Sequence, residues 1–176
     1  RQLGAAWRRR GLTPVVTRVV AYVALGANLG DAALALLAAF DRLSGLPDTE
    51  LVARSSVYRT APIGAGGPDY LNAVAALSTA ITAPDLLRAL HDTEAAAGRE
   101  RSYRNAPRTL DLDLLSWGDV VSAQPELTLP HPRLHLRAFV LVPLLEIAPA
   151  LVLPGLGPVS NWLPGVAGQS IERVVE

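Results

Sequence analysis

The stretch that decides the fold of this chain is Thr109-Leu110-Asp111-Leu112-Asp113-Leu114-Leu115-Ser116. Leucine occupies every second position from Leu110 to Leu114, and the positions between are acidic. Because side chains of a β-strand alternate between its two faces, the leucines point into a core while Asp111 and Asp113 share the opposite face. The spacing therefore predicts a strand that carries two carboxylates about 7 Å apart on one side.

An arginine-rich segment precedes this strand, with arginines at positions 99, 101, 104 and 108. Mg²⁺ accepts one or two carboxylates and completes its shell with phosphate oxygens, and guanidinium groups pair well with the remaining phosphate charge. The pattern predicts half of a site for a metal-bound nucleotide triphosphate. The alternative is a solvated, charged strand edge on which Arg108 simply pairs with Asp111.

The rest of the chain alternates apolar runs with turn signals. Gly26 to Gly30 and the Pro- and Gly-rich residues 61–68 indicate loops, while Asp31 and Pro84 favour helix starts and Gly98 a helix end. We predict strands at 19–25, 51–58, 70–79 and 110–116, a short partner strand at 120–121, helices at 32–43, 84–97 and 138–147, and a turn near 159–163. The order strand, helix, strand, strand, helix, strand predicts a single α+β domain. Its fold class is a ferredoxin-like split βαβ, in which helices cover an antiparallel sheet.

Composition narrows the function. The 176 residues are 50% hydrophobic with a formal net charge of +0, which predicts one globular domain and no general attraction to nucleic acid or membrane. All sixteen basic residues are arginine, so a Walker A loop with its lysine is excluded. Cysteine is absent, which excludes disulfides and thiolate zinc sites and fits a cytoplasmic protein. Aromatic residues make up only 5%, too few for an RNA-stacking sheet.

The first eighteen residues differ from the rest, with Arg8-Arg9-Arg10 followed by Gly11 and Pro14. We predict that residues 1–18 form a poorly ordered basic extension without a chemical role, and that the functional domain spans residues 19–176.

Five blocks of sequence together resemble one family. They are Gly26-Ala27-Asn28-Leu29-Gly30-Asp31, Ser55-Ser56-Val57-Tyr58-Arg59-Thr60, Pro68-Asp69-Tyr70-Leu71-Asn72, Pro107-Arg108-Thr109-Leu110-Asp111-Leu112-Asp113 and Pro130-His131. In this order they resemble the 6-hydroxymethyl-7,8-dihydropterin pyrophosphokinases of folate biosynthesis. The resemblance implies transfer of pyrophosphate from ATP, the co-substrate, to the pterin alcohol with release of AMP. It further implies two Mg²⁺ ions. We expect the protein to be a monomer.

The resemblance also implies roles for individual residues. The implied metal ligands are Asp111 and Asp113, and the implied catalytic residues are these two with Arg99 and Arg108. The implied ATP contacts are His91, Glu94, Arg99, Arg101, Arg108, Leu114, Thr128, His131 and Arg137. The implied pterin contacts are Thr60, Ala61, Pro62, Ile63, Tyr70, Asn72 and Phe139. The side-chain amide of Asn72 suits the alternating donors and acceptors of a pterin edge.

Two positions depart from the family pattern. Asn105-Ala106 stands where many members have a tryptophan, and Pro132 stands where a tyrosine often follows the histidine. A rival hypothesis is a non-catalytic module of the same topology that senses a nucleotide or another anion, since fold alone does not determine function. The two aspartates separate the hypotheses, because a sensing module has little use for a Mg²⁺ site.

Overall fold

The computed structural model describes residues 16–28, 30–62, 66–98 and 110–175. Its helices are α1 (Ala32–Ser44), α2 (Ala83–Ala97) and α3 (Ala138–Ile147), with 3₁₀ turns at Leu134–Leu136 and Val159–Val166. Its strands are β1 (Val19–Ala27), β2 (Thr49–Arg54), β3 (Tyr58–Thr60), β4 (Tyr70–Thr79), β5 (Asp111–Trp117), β6 (Ser122–Gln124), β7 (Leu127–Leu129), β8 (Val152–Leu153), β9 (Gly157–Pro158) and β10 (Glu172–Arg173). Among these described helices, none has the length and apolar character needed to cross a membrane.

The main sheet is antiparallel, with the strand order β10-β3-β4-β1-β5 and with β2 also paired to β4. Strand β4 therefore lies between β1 and the β2–β3 pair, as a split βαβ requires. The predicted α+β fold is confirmed. Strands β6 and β7 form one separate hairpin, and β8 and β9 form another.

Two apolar layers cover the sheet. Alternate residues of β1, β4 and β5 pack under α1 and α2: Ala21, Val23, Leu25, Ala27, Ala73, Ala75, Leu77, Leu112 and Leu114. The opposite face holds Ala24, Val74 and Leu115, which pack against α3 and the C-terminal tail. Both faces of the central strands are therefore buried.

The predicted helix starts rest on side-chain caps. Asp31 accepts a hydrogen bond from the backbone N–H of Leu34 at 3.0 Å, and Thr82 accepts one from Asp85 at 3.2 Å. Each cap satisfies one of the N–H groups that a helix leaves unpaired at its first turn. Helix α2 begins one residue before the predicted start and ends next to Gly98 as predicted.

Two predicted strands differ from the structure. The run 51–58 is divided into β2 and β3, because the buried Ser55 hydroxyl accepts the Val74 N–H at 2.9 Å where a strand would offer its backbone carbonyl. The short strand predicted at 120–121 is wrong. The chain instead turns at Gly118, whose φ is +54°, and the pairing resumes at β6 with β7.

Candidate active site

Strand β5 presents the two aspartates on the α3 side of the sheet. Asp111 lies opposite Gly26 of β1 and Asp113 lies opposite Ala24, so the two carboxylates occupy alternate positions on one strand face. The leucines between and beside them pack into the core under α1 and α2. A register shift follows, and it directs Leu115 into the layer under α3. The predicted shared face of the aspartates is present in the structure.

A first cavity of about 280 Å³ opens on this face. It is lined by Ala24, Leu25, Gly26, Thr60, Ala61, Tyr70, Asn72, Asp111, Asp113, Arg137 and Phe139. Five residues named for pterin contact lie here: Thr60, Ala61, Tyr70, Asn72 and Phe139. Pro62 follows Ala61 but does not line the cavity, and Ile63 lies outside the described residues. Arg137, named for ATP contact, lines this cavity as well.

A second cavity of about 260 Å³ lies on the other side of Asp113. It is lined by Leu87, His91, Leu112, Asp113, Leu114, Pro125, Glu126, Leu127, Thr128, His131 and Pro132. Four residues named for ATP contact lie here: His91, Leu114, Thr128 and His131. Asp113 borders both cavities.

The amide of Asn72 is fixed within the first cavity. The residue is only 4% exposed, and its Nδ2 donates a hydrogen bond of 2.9 Å to Thr60 Oγ1. Asn72 pairs with Gly26 across the β1–β4 ladder, and a Cβ at Gly26 would come within 3.4 Å of Asn72 Oδ1. The absence of a side chain at position 26 thus leaves space beside the amide.

Arg137 and Phe139 form the wall that α3 contributes. The guanidinium carbon of Arg137 lies 5.4 Å from the centre of the Phe139 ring, within the range of a cation–π contact. The ring supplies an apolar surface suited to stacking a flat heterocycle, and the arginine places positive charge near the two carboxylates.

His131 links the second cavity to the carboxylates. Burial lowers the pKa of its imidazole, Asp113 opposes that effect, and the positive charges of Arg137 and Arg133 lower the pKa further. Its Nδ1 accepts the backbone N–H of Arg133 at 3.1 Å, so neutral His131 carries its proton on Nε2. A neutral imidazole with an Nε2–H donor suits a phosphate or sugar oxygen.

Glu94 is placed differently from the other residues named for ATP. Its Oε1 accepts a hydrogen bond of 2.7 Å from the backbone N–H of Leu112, and it does not line either cavity. Arg99, Arg101 and Arg108 lie outside the described residues, so their predicted roles stay predictions.

The carboxylate pair suits Mg²⁺, which takes only some of its ligands from protein, better than it suits a metal whose ligands are all protein side chains. Within residues 16–28, 30–62, 66–98 and 110–175 there is no group of three or more His, Cys, Asp or Glu side chains that could hold a metal ion. Two carboxylates facing two cavities provide the partial ligand set that Mg²⁺ accepts when phosphate oxygens and water supply the rest.

Several lining residues were missed from the sequence, among them Ala24, Leu25 and Gly26 in the first cavity and Pro125 and Glu126 in the second. The glycine motif at 26–30 was a signal for the first group. Its position opposite Asn72 and Asp111 depends on strand register, which no local pattern reveals.

Known proteins resemble this chain in sequence and in fold. Residues 22–149 match the family model described as 7,8-dihydro-6-hydroxymethylpterin-pyrophosphokinase. A 2-amino-4-hydroxy-6-hydroxymethyldihydropteridine pyrophosphokinase of Pseudomonas aeruginosa is 44% identical over 154 residues, covering 87% of this chain and 95% of that protein. One from Haemophilus influenzae is 45% identical over 137 residues, covering 77% and 86% respectively.

A solved structure shares the fold. The HPPK-DHPS of Plasmodium falciparum with SDX-DHP superposes with a TM-score of 0.69 at 11% identity, over 86% of this chain and 45% of that chain. This chain therefore spans less than half of that longer protein, and the likeness concerns fold alone. The family match and the identity to the bacterial relatives lead to one conclusion: the chain belongs to the 7,8-dihydro-6-hydroxymethylpterin-pyrophosphokinase family.

Proposed function

We propose that this protein transfers pyrophosphate from ATP to 6-hydroxymethyl-7,8-dihydropterin, a step of folate biosynthesis, and releases AMP. The observation that carries the proposal is the position of Asp113, which borders both cavities beside Asp111. One cavity suits a flat heterocycle and the other suits a nucleotide. Both reactants then meet at a pair of carboxylates.

The pterin occupies the first cavity in this proposal. Phe139 offers its ring as a stacking surface, and the buried amide of Asn72, oriented by Thr60, bonds the polar edge of the pterin. Tyr70 and Ala61 close the sides. The hydroxymethyl group then points toward Asp111 and Asp113, because these carboxylates are the acidic part of the cavity lining.

The nucleotide occupies the second cavity. His91, Thr128 and His131 supply polar contacts and Leu114 an apolar one, so the triphosphate extends toward Asp113. Asp111 and Asp113 would hold Mg²⁺, with two ions expected, and the metal would supply neutralisation of phosphate charge. By family resemblance, Arg99, Arg101 and Arg108 would contact the phosphates together with Arg137.

The transfer itself requires alignment more than covalent help. The pterin hydroxyl oxygen forms a bond to the β-phosphorus of ATP. The bond from that phosphorus to the oxygen bridging the α- and β-phosphates breaks, AMP leaves with this oxygen, and the hydroxyl proton passes to water. The chain contributes two fixed binding surfaces and positive charge near the transferred group.

We also propose that the protein acts as a monomer in the cytoplasm, where ATP is available. Light scattering after size-exclusion chromatography tests the monomer, and a dimer mass at assay concentration would contradict it.

The decisive experiment measures AMP release from ATP with Mg²⁺, with and without the reduced pterin alcohol. We expect AMP only when the pterin is present, in amounts equal to the pyrophosphorylated pterin. Nucleotide binding without pterin-dependent AMP would instead favour the sensing module. The relatives that share 42–46% identity carry the pyrophosphokinase name, which supports the enzyme.

A further inference from the structure

The C-terminal segment 169–174 contacts the backbone that leads into both walls of the first cavity. At one end, the side-chain amide of Gln169 makes two hydrogen bonds. Its Oε1 accepts the Ala138 N–H at 2.8 Å, and its Nε2 donates to the Leu136 carbonyl at 2.9 Å. One side chain thus holds the backbone on either side of Arg137.

These bonds replace a missing helix cap. Helix α3 begins at Ala138, and the residue at its N-cap position, Arg137, provides no side-chain hydrogen bond to the helix. The first N–H groups of a helix need partners from outside the helix. Gln169 supplies one of them, and it does so within two residues of Phe139, so it fixes the start of the α3 wall.

The other end of the segment pairs with the opposite wall. Glu172 and Arg173 form β10, which pairs with Arg59 and Tyr58 of β3. The Val174 N–H adds a bond of 2.8 Å to the Val57 carbonyl. Strand β3 ends at Thr60, and Ala61 follows it. Both residues line the first cavity, to which α3 contributes Phe139.

We propose that Gln169 is a positioning residue for pterin binding, and that segment 169–174 sets the spacing between the α3 wall and the β3 wall. The segment lies beyond residues 22–149 that match the family model. The proposal rests on the proposed function, since it assigns the first cavity to the pterin. It differs from a purely structural role because it predicts a change in pterin affinity rather than in the amount of folded protein.

The main variant is Gln169→Met. Methionine keeps the length of the side chain and suits the neighbouring apolar groove, which Ala138, Val142 and Ile171 help to line, but it makes neither bond. Loss of two hydrogen bonds that orient the wall predicts a rise of about tenfold in KM for the pterin. We expect the same rise in the pterin dissociation constant, measured by fluorescence with a nonhydrolysable ATP analogue.

Two further variants complete the design. Gln169→Glu keeps an acceptor for the Ala138 N–H but loses the donor to Leu136, so its KM should fall between wild type and Gln169→Met. Asn161→Leu removes a carboxamide from the same tail at an exposed position, where the side chain makes no hydrogen bond to any described residue, and it should match wild type.

The outcomes are distinct. Wild-type protein without pterin-dependent AMP refutes the proposed function. Active wild-type protein with an unchanged pterin KM and dissociation constant in Gln169→Met overturns the positioning role. If Gln169→Met also melts at a lower temperature, the comparison with Gln169→Glu decides: partial recovery of pterin affinity supports the role, and equal loss in both variants refutes it.

Discussion

The carboxylate of Glu94 in α2 accepts a hydrogen bond of 2.7 Å from the backbone N–H of Leu112, the residue between Asp111 and Asp113. Strand β5 is the edge of the main sheet, so N–H groups on its outer side need partners from outside the sheet. Glu94 thereby fixes the strand segment that carries both acidic side chains. The direct nucleotide contact predicted for Glu94 stays a prediction, and in the structure its carboxylate bonds the outer edge of β5 between the two aspartates.

Replacing Glu94 by alanine should therefore weaken both stability and catalysis. A charge-assisted hydrogen bond to a partly buried amide is worth about 1.5 to 3 kcal/mol, so we expect Glu94→Ala to unfold at lower urea concentration and to need more Mg²⁺ for half-maximal rate. Glu94→Gln keeps an oxygen acceptor and should show a smaller loss of stability. An equal loss of stability in both variants would mean that the negative charge of Glu94 matters for a reason other than its hydrogen bond to Leu112.

The two aspartates should be needed for turnover and not for folding. We expect Asp111→Asn or Asp113→Asn to lower the rate at least about 10²-fold, because a carboxamide is a poor Mg²⁺ ligand, while the melting temperature stays near that of wild type. Asp119→Asn, in the exposed turn after β5, is the matched control. Wild-type rates in the purified Asp111 or Asp113 variants would reject the metal site.

The bond between Asn72 and Thr60 gives a test of pterin recognition. Thr60→Val keeps the shape of the side chain and removes the Oγ1 acceptor of the 2.9 Å bond. The freed Asn72 amide loses its fixed orientation, so we expect a several-fold to about tenfold weaker pterin affinity and little change in ATP affinity. Isothermal titration calorimetry with each ligand measures the pterin affinity and the ATP affinity separately. An equal loss for ATP would place Asn72 outside a pterin-specific site.

A cluster at the far end of α3 should give the protein a characteristic pH dependence. Burial raises the pKa of Glu146, but hydrogen bonds from Tyr58 and Ser56 and the charge of Arg173 outweigh burial, so the pKa lies below the ordinary 4.5. Burial and the bond to Glu146 raise the pKa of Tyr58 from 10.0 to about 12. Folded Glu146 thus releases its proton more readily, and folded Tyr58 retains its proton more strongly, than in the unfolded chain.

The directions of these two pKa shifts determine how the stability of the protein changes with pH. The contribution of Glu146 to the free energy of unfolding is complete above about pH 4.5 and is lost as pH falls through its lowered pKa. The contribution of Tyr58 is complete below pH 10.0 and is lost as pH rises toward about 12. Urea midpoints across pH should show a shallower acid decline in Glu146→Gln and a shallower alkaline decline in Tyr58→Phe. Profiles parallel to wild type would contradict the cluster.

The local sequence pattern was enough to predict many of the strands and helices of this protein. The alternation in 110–116 predicted the strand and the shared face of its aspartates, and Asp31 and Pro84 marked two helix starts. Local pattern failed at Ser55, where a buried hydroxyl interrupts a run that reads as one strand. It failed again at Val120 and Val121, where β-branched residues follow a glycine turn without pairing.

The sequence by itself determined the fold class, the family and the acidic face of β5, because a two-residue period and short motifs are properties of neighbouring residues. Tertiary structure alone decided that Gly26 lies between Asn72 and Asp111, that Glu94 bonds the outer edge of β5, and that Gln169 caps α3. These relationships join residues far apart in the chain. Their geometry depends on strand register and on packing across the sheet, which no single segment encodes.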